Sequence, residues 1–319
     1  MNMAEEKRVQ VTVVGSSNVD ITARMDRLPG PGETVLADSY RLTPGGKGAN
    51  QALAAQLAGA RTEFVGALGQ DEHSAIALAQ LRQAGVLLDR VIRSSEPTGV
   101  AIISVDAQGE NSIAVISGAN STVDGTAVRA AGPLHGVVVL QGEIPASGIS
   151  AAIAAGTERI VLNLAPVIKL EPKDLVRADP LVVNEHEAFE VLEQLDARAA
   201  TGLEGHYDHL AHALLEQGIA SVVITLGGAG CLVAQRDGSG SVRLEKVPAP
   251  RVDAVDTTGA GDAFTGALAA QLANGKNLAQ AATFATRFAA YTVQHPGAQA
   301  SYPRDLSQPQ ETGSARTQE

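Results

Sequence analysis

The stretch VDTTGAGDAF at residues 255–264 carries the residue types that phosphoryl chemistry needs. Gly259 and Gly261 permit backbone angles that other residues resist, so successive N–H groups can converge on one point. The helical pattern that follows, Ala263 to Leu272, sets this point at a helix N-terminus, where unpaired amides and the helix dipole favour an anion such as a migrating phosphoryl group. Asp262 is then a carboxylate beside an anion site, repelled unless it has a task or a cation. Taking a proton from an attacking hydroxyl is such a task. An Asp before a helix also serves as an N-cap, and Thr257 and Thr258 as turn residues, so the stretch needs support from elsewhere in the chain.

That support comes from residues that follow apolar runs. PGGKGANQA, residues 44–52, is not a Walker A loop, because Lys47 is followed by Gly48 and no first Gly stands at the required distance. It offers close backbone approach at Gly45 and Gly46, a flexible donor at Lys47 and an amide at Asn50, a set that suits a polyhydroxylated ligand. In GSSNVD, Asn18 and Asp20 stand two apart and share one face of an extended segment. Glu143 in LQGEIP and Asn184 to Glu187 in NEHE lie just beyond strand-type runs. Each of these alone reads more readily as a cap, a turn or a solvated charge than as a ligand contact. Parallel strands, however, deliver their C-terminal ends to one sheet edge, so together they should converge on one cleft.

The elements that must position them alternate. Val9–Val14, Thr62–Leu68, Gly136–Leu140, Ile160–Leu164, Leu181–Val183, Val222–Leu226 and Gly230–Ala234 read as strands. Helical patterns cover Ala49–Ala58, Ser74–Ala84, Ile149–Ala155, Glu187–Leu195 and Leu210–Glu216, and two final helices run about Gly261–Ala273 and Leu278–Val293. Near-continuous Val/Ile/Leu strands with intervening helices predict a parallel sheet covered on both faces. Val19–Tyr40 and Thr98–Ile116 break the rhythm as strand pairs, the second turning around Asp106–Gly109, and predict a second, smaller sheet that could lie over the cleft as a lid. The expected organisation is one α/β domain over 1–310 with lid strands inserted at about 18–43 and 98–118, and a polar, disordered tail over 305–319.

Composition narrows the classes. The 319 residues are 45% hydrophobic, which excludes a disordered chain, while no apolar run is long enough for a membrane span and MNMAEEKRVQ has no signal-peptide core. The net charge of −11 and the lack of Trp speak against a nucleic-acid partner. A single cysteine, Cys231, in a strand-like run reads as buried packing in a reducing cytoplasm. His206, His209 and His212 fan across a helix face and read as solvated, and His186 looks outward beside Glu185.

With these residues in view, the chain resembles the ribokinase-like (PfkB) carbohydrate kinase family, through GSSNVD, PGPGE, GGKGANQA, TGVAIISVD, GENSIAVISGAN, NEHEA, VDTTGAGDAF and GAQASYP in that order. The resemblance implies a three-layer α/β/α sandwich with a small β-sheet lid, and ATP-dependent phosphorylation of the primary 5-hydroxyl of ribose. Asp262 would be the general base, with the amides of Gly259, Ala260, Gly261 and Asp262 as the anion hole. Asn18, Asp20, Gly46, Lys47, Asn50 and Glu143 would hold the sugar. Asn184, Thr225, Gly227, Gly230 and Gly261 would bind the nucleotide, with Glu187 near magnesium. A monovalent cation, usually potassium, would sit at Asp256, Thr258, Thr292, His295, Gly297 and Ser301, several acting through backbone carbonyls. A homodimer through the lid is a further implication. His73, Ser74 and Leu164 depart from the family pattern at positions that carry no expected chemistry. A kinase for deoxyribose or another sugar is the alternative within the family. A non-catalytic sugar-binding regulator is the alternative outside it, and it predicts damage at Asp262 or its glycine loop, which the sequence does not show.

Overall fold

The computed structural model describes residues 8–156 and 158–305. Its main sheet has eight strands in the order Val242–Val247, Cys231–Arg236, Ser221–Thr225, Leu181–Asn184, Arg159–Asn163, Val137–Gln141, Val11–Val14 and Thr62–Val65. The run from Ser221–Thr225 to Thr62–Val65 is parallel throughout, and Cys231–Arg236 with Val242–Val247 adds an antiparallel edge. That outermost strand is absent from the sequence expectation because half of VRLEKV is charged and half of it is exposed, as an edge strand can be.

Both faces of the parallel strands are covered, which is why their interior positions are mostly apolar rather than alternating, with polar residues gathered at their ends. Val13, Val139, Val161 and Val223 point toward the helices Lys47–Leu57, Ala260–Ala273 and Leu278–Thr292. Their neighbours Val14, Val138, Leu162 and Ile224 point the other way, toward Ala146–Ala155, Glu185–Leu195 and Tyr207–Glu216. Each such side chain removed from water stabilises the fold by about 1.5–3 kcal/mol.

The pairing of two helices matters most for the site. Lys47–Leu57 and Ala260–Ala273 are rich in Ala and Gly, so they pack closely: a Cβ added at Gly266 would stand 2.7 Å from that of Ala54. Their N-terminal turns meet, which brings Asn50 and Gln51 against Asp262.

The second sheet has the order Ser39–Gly45, Asn18–Arg24, Gly99–Val105 and Asn111–Ile116. It comes from the two strand pairs expected from sequence, and the turn between Val105 and Asn111 closes with the Gly109 amide on the Asp106 carbonyl at 3.1 Å. Two boundaries differ from expectation. The run 62–68 divides between sheets, with Ala67–Leu68 pairing Ile92–Arg93, and the helix expected over Ser74–Ala84 breaks at Leu78 into His73–Ala77 and Ala79–Ala84. The expected tail lies, Asp305 apart, outside the described residues. Among the described residues no helix is long and apolar enough to cross a membrane.

Candidate active site

Asp262 is the third residue of the helix Ala260–Ala273, whose N-cap is Gly259. It caps nothing. Its carboxylate, only 6% exposed, accepts from Asn50 Nδ2 on Oδ2 and from Gln51 Nε2 on Oδ1, both at 2.9 Å. Gly259 has φ +72°, in the left-handed region, and a Cβ there would stand 2.7 Å from the Ala298 Cβ, so only glycine fits. Buried Tyr302 donates its hydroxyl to the Gly259 carbonyl at 3.2 Å. Burial, and secondarily the Asp262 charge, push the Tyr302 phenol well above its ordinary value, so it remains a neutral donor.

The Ala260 amide is already engaged by the Thr257 carbonyl at 3.2 Å. Among the described residues none accepts from the amides of Gly259, Gly261 or Asp262. These three donors at a helix N-terminus are the ones left for an anion.

The residues expected to hold hydroxyls gather around Asp262. Asn18 and Asp20 lie in one strand opposite Gly45 and Thr43, and a Cβ on Gly45 would collide with the Asp20 carboxylate. Asn18 is fixed by Asn120 Nδ2 at 2.7 Å, and Asn120 in turn accepts from the Ser17 amide at 2.9 Å. Gly46, with φ +88°, leads into the helix bearing Lys47 and Asn50, and a Cβ on it would stand 2.8 Å from the Asn18 nitrogen. Glu143 accepts from Ser16 Oγ and from the Lys47 amide, the latter at 3.0 Å.

Three carboxylates thus share a small volume with one lysine. Burial first, then the charges of Glu143 and Asp262, push the Asp20 carboxyl up to about 6. Asp262 above all raises the Lys47 ammonium, against the opposing effect of burial and with help from Glu143 and Glu187. Lys47 is therefore a firm cation, and these carboxylates offset the cost of placing it at a helix N-terminus.

Two cavities meet at the glycine loop. The larger, about 420 Å³, is mainly apolar and is lined by Thr225, Gly227, Gly230, Ala249, Pro250, Val252, Phe264, Ala289 and Val293 among others. The smaller, about 200 Å³, contains Lys47, Asn163, Asn184, Glu187, Gly259 and Asp262. Thr225, Thr257, Ala260 and Gly261 belong to both walls. Asn184 and Glu187 form a reciprocal capping box, each accepting the other's amide at 2.8 Å, so they are helix caps and cavity residues at once. Burial raises the Glu187 carboxyl despite the hydrogen bond from Asn184 and the charge of Lys47. A partly buried carboxylate with an amide oxygen beside it fits magnesium, which takes one or two protein oxygens and keeps the rest of its shell as water and phosphate. Gly230 lines the larger cavity, but its need for glycine is structural: a Cβ would run into the Val247 carbonyl of the edge strand.

The residues proposed around a monovalent cation also form one locality. Asp256 accepts from the Thr258 amide at 2.9 Å and the Gly297 amide at 2.8 Å. Burial opposes its ionisation, yet the hydrogen bonds from Thr258 and Gly297 prevail and hold its pKa below the ordinary value. The hydroxyls of Thr292 and Ser301 donate to the carbonyls of Ala289 and Ala298, both at 2.7 Å, and exposed His295 lies 3.1 Å through Nδ1 from the Tyr291 carbonyl. With these side chains engaged locally, the loop offers a cation the Asp256 charge and backbone carbonyls.

Other expectations resolve simply. His186 is exposed beside Glu190, Cys231 is buried with its thiol pushed up to about 11 by burial, and His206 and His209 rings lie 5.9 Å apart. Among the described residues there is no cluster of three or more His, Cys, Asp or Glu suited to a metal. Sequence reasoning overlooked Gln51, Gln141, Asn163, Gln299 and Tyr302, all buried within the site's support. Part of that was readable. The parallel strands end in Gln141, Asn163, Asn184 and Thr225, polar residues terminating apolar runs at the ligand edge of the sheet.

Residues 9–305 match the pfkB family of carbohydrate kinases. A ribokinase of Schizosaccharomyces pombe is 36% identical over 92% of this chain and 95% of its own. A deoxyribokinase of Salmonella typhi is 34% identical over 92% and 96%. The solved structure of Arabidopsis thaliana ribokinase complexed with ribose and ATP superposes with a TM-score of 0.78 at 32% identity, covering 93% of this chain and 96% of that one.

Proposed function

Since the chain belongs to the pfkB family of carbohydrate kinases, we propose that it transfers the terminal phosphoryl group of ATP to the 5-hydroxyl of D-ribose. The observation that carries this reading is the common wall of the two cavities. An adenosine in the larger one would direct its phosphates past Thr225 and Gly227 toward the open amides at Gly261 and Asp262. Around Asp262, Asn18, Asp20, Lys47, Asn50 and Glu143 supply donors and acceptors for a pentose. Both the ribokinase names among the relatives and the structure holding ribose and ATP favour ribose. The deoxyribokinase relative keeps deoxyribose as the second reading.

The chemistry follows from what these groups can do. Asp262 accepts the proton of the sugar's primary hydroxyl as that oxygen bonds to the γ-phosphorus, and the bond from phosphorus to the bridging oxygen breaks with its electrons leaving on ADP. The amides of Gly259, Gly261 and Asp262 stabilise charge on the migrating group. Glu187 and Asn184 would hold magnesium arriving with ATP, and it would supply the neutralisation of phosphate charge that a site this rich in carboxylates requires. Asp256 and the backbone carbonyls of its loop would hold a potassium-like ion, whose charge would steady the glycine turn.

The second sheet acts as a lid and as a dimer surface. By register, Leu42, Ile21, Ile102 and Ala114 form a row across it, and Tyr40 and Ile116 share their face. Tyr40 is 74% exposed, Ile102 47% and Ile116 47%, an apolar surface that a second copy of the chain would cover. Replacing Ile102 with Lys should shift the sedimentation mass from dimer to monomer. An unchanged mass would remove this face as the contact. The buried, unpaired Cys231 accords with a cytoplasmic enzyme.

The deciding measurement is kcat/KM across ribose, deoxyribose and a set of hexoses, each with ATP and magnesium, with and without potassium. Ribose should lead deoxyribose by orders of magnitude if its 2-hydroxyl is held by buried polar groups. A higher value for any other sugar overturns the ribose assignment, and sugar binding without ADP release favours the non-catalytic reading.

A further inference from the structure

A fully buried glutamine, Gln51, lies against Asp262. We propose that Gln51 is a positioning residue for phosphoryl transfer: it grips Oδ1 of Asp262 from the interior and so presents Oδ2 to the sugar hydroxyl. The proposal rests on the reading of Asp262 as the base.

Gln51 has no exposed surface and is absent from the lining of the smaller cavity. Its Nε2 lies 2.9 Å from Asp262 Oδ1 and 2.9 Å from Asn163 Oδ1, and its Oε1 accepts from Gln141 Nε2 at 2.7 Å. Asn163 donates through Nδ2 to the Val182 carbonyl at 2.9 Å. That carbonyl decides the direction of the whole chain, because it can only accept. Asn163 must therefore turn its nitrogen to Val182 and its oxygen to Gln51, which makes Gln51 a donor at both contacts and leaves its own oxygen for Gln141. A reversed Gln51 would set its oxygen against a carboxylate and an amide oxygen. The strain of this one-way order falls on Gln141 Oε1, which is buried with no donor among the described residues.

The two oxygens of Asp262 are thus held differently. Oδ1 is tied into the interior through Gln51, while Oδ2 is bonded by Asn50, which belongs to the sugar side and is itself gripped by Gln299 Nε2 at 2.9 Å. A fully buried amide on a helix packed against the sheet, where an apolar side chain would be the cheaper choice, is explained by what it holds. A reacting oxygen displaced by about 1 Å can cost on the order of a hundredfold in rate.

The test is a double-mutant cycle with a binding readout. Gln51→Leu should lower kcat about tenfold to a hundredfold, while ribose affinity measured by calorimetry without ATP stays within about twofold because Gln51 does not reach the sugar. In an Asp262→Ala background the same change should leave residual turnover unaltered. Loss of ribose affinity in step with kcat, an equal loss in the Asp262→Ala background, or undiminished kcat would each overturn the proposal. Because Gln51→Leu strands the Gln141 amide, the paired replacement Gln51→Met with Gln141→Met removes both ends of that contact and carries the same expectation in a better-packed core. Absence of sugar kinase activity in the unaltered protein would instead refute the underlying reading of Asp262.

Discussion

Replacing Asp20 by Asn should make the unliganded protein more stable while weakening its grip on the sugar. Asp20 is held by burial and by the neighbouring charges of Glu143 and Asp262 at a pKa of about 6, against 3.8 for the free side chain. A difference of that size corresponds to roughly 3 kcal/mol of folded-state cost when the carboxylate is ionised, an upper figure because the surroundings relax. The folded pKa is the higher one. The cost is therefore nearly complete above about pH 6, falls to about half by pH 5 and to roughly a fifth by pH 4, and disappears only below about pH 3, where the side chain is protonated in both states. Asn keeps the shape and removes the charge, so the variant should gain about 1–3 kcal/mol at pH 8, or about 2–5 °C in melting temperature for a chain of this length. Thermal melts of the unliganded wild type and variant at pH 8, 5 and 4 read this directly, with ribose calorimetry alongside. A variant that melts no higher than wild type at pH 8, or whose advantage persists undiminished at pH 4, would refute the electrostatic account of this cluster.

Two further substitutions probe the phosphoryl side. Asp262→Asn should cut kcat about a hundred- to ten-thousand-fold with little change in ribose affinity, and stopped turnover assays with calorimetry would check both. Because Asn50 and Gln51 each donate to Asp262, an amide there must face one donor with another, and the variant should also lose about 1–3 kcal/mol in denaturant unfolding. Gly259→Ala should destabilise by at least about 1–2 kcal/mol from its left-handed φ alone. It should also lower kcat more than it raises the KM for ribose, since the turn it distorts carries the open amides; an unchanged kcat would disqualify the loop as anion hole.

The sequence was legible where a residue's type and its local spacing determine its place. Apolar runs gave the parallel strands, and glycines flanking Asp262 gave the helix N-terminus, because both depend on neighbours within a few positions. Lys47 and Glu187 could be placed at the cleft because each follows a Gly-rich turn or a strand end. The antiparallel edge strand Val242–Val247 was obscured because an exposed edge does not demand apolar residues. Gln51, Gln141 and Asn163 were hidden for a different reason. Their roles are set by partners 90 or 112 positions away, and in sequence Gln51 is simply another polar residue in an alanine-rich helix. The capping box at Asn184 shows that a helix cap need not exclude a place in the site, since Asn184 and Glu187 both cap the helix and line the smaller cavity.

Gln299 reaches Asn50 across 249 positions, and the Gly297 amide reaches Asp256 from the same late segment. The order of synthesis gives this contact a consequence. Every strand of the main sheet has been synthesised once Val247 is made, yet the contacts that fix Asn50 and the Asp256 turn depend on chain that follows Thr292. A nascent chain can therefore assemble its sheet before its reactive carboxylate is held on both sides. A protease cut shortly after Thr292 would return a finished protein to that state, with its strands intact and its catalytic geometry undone.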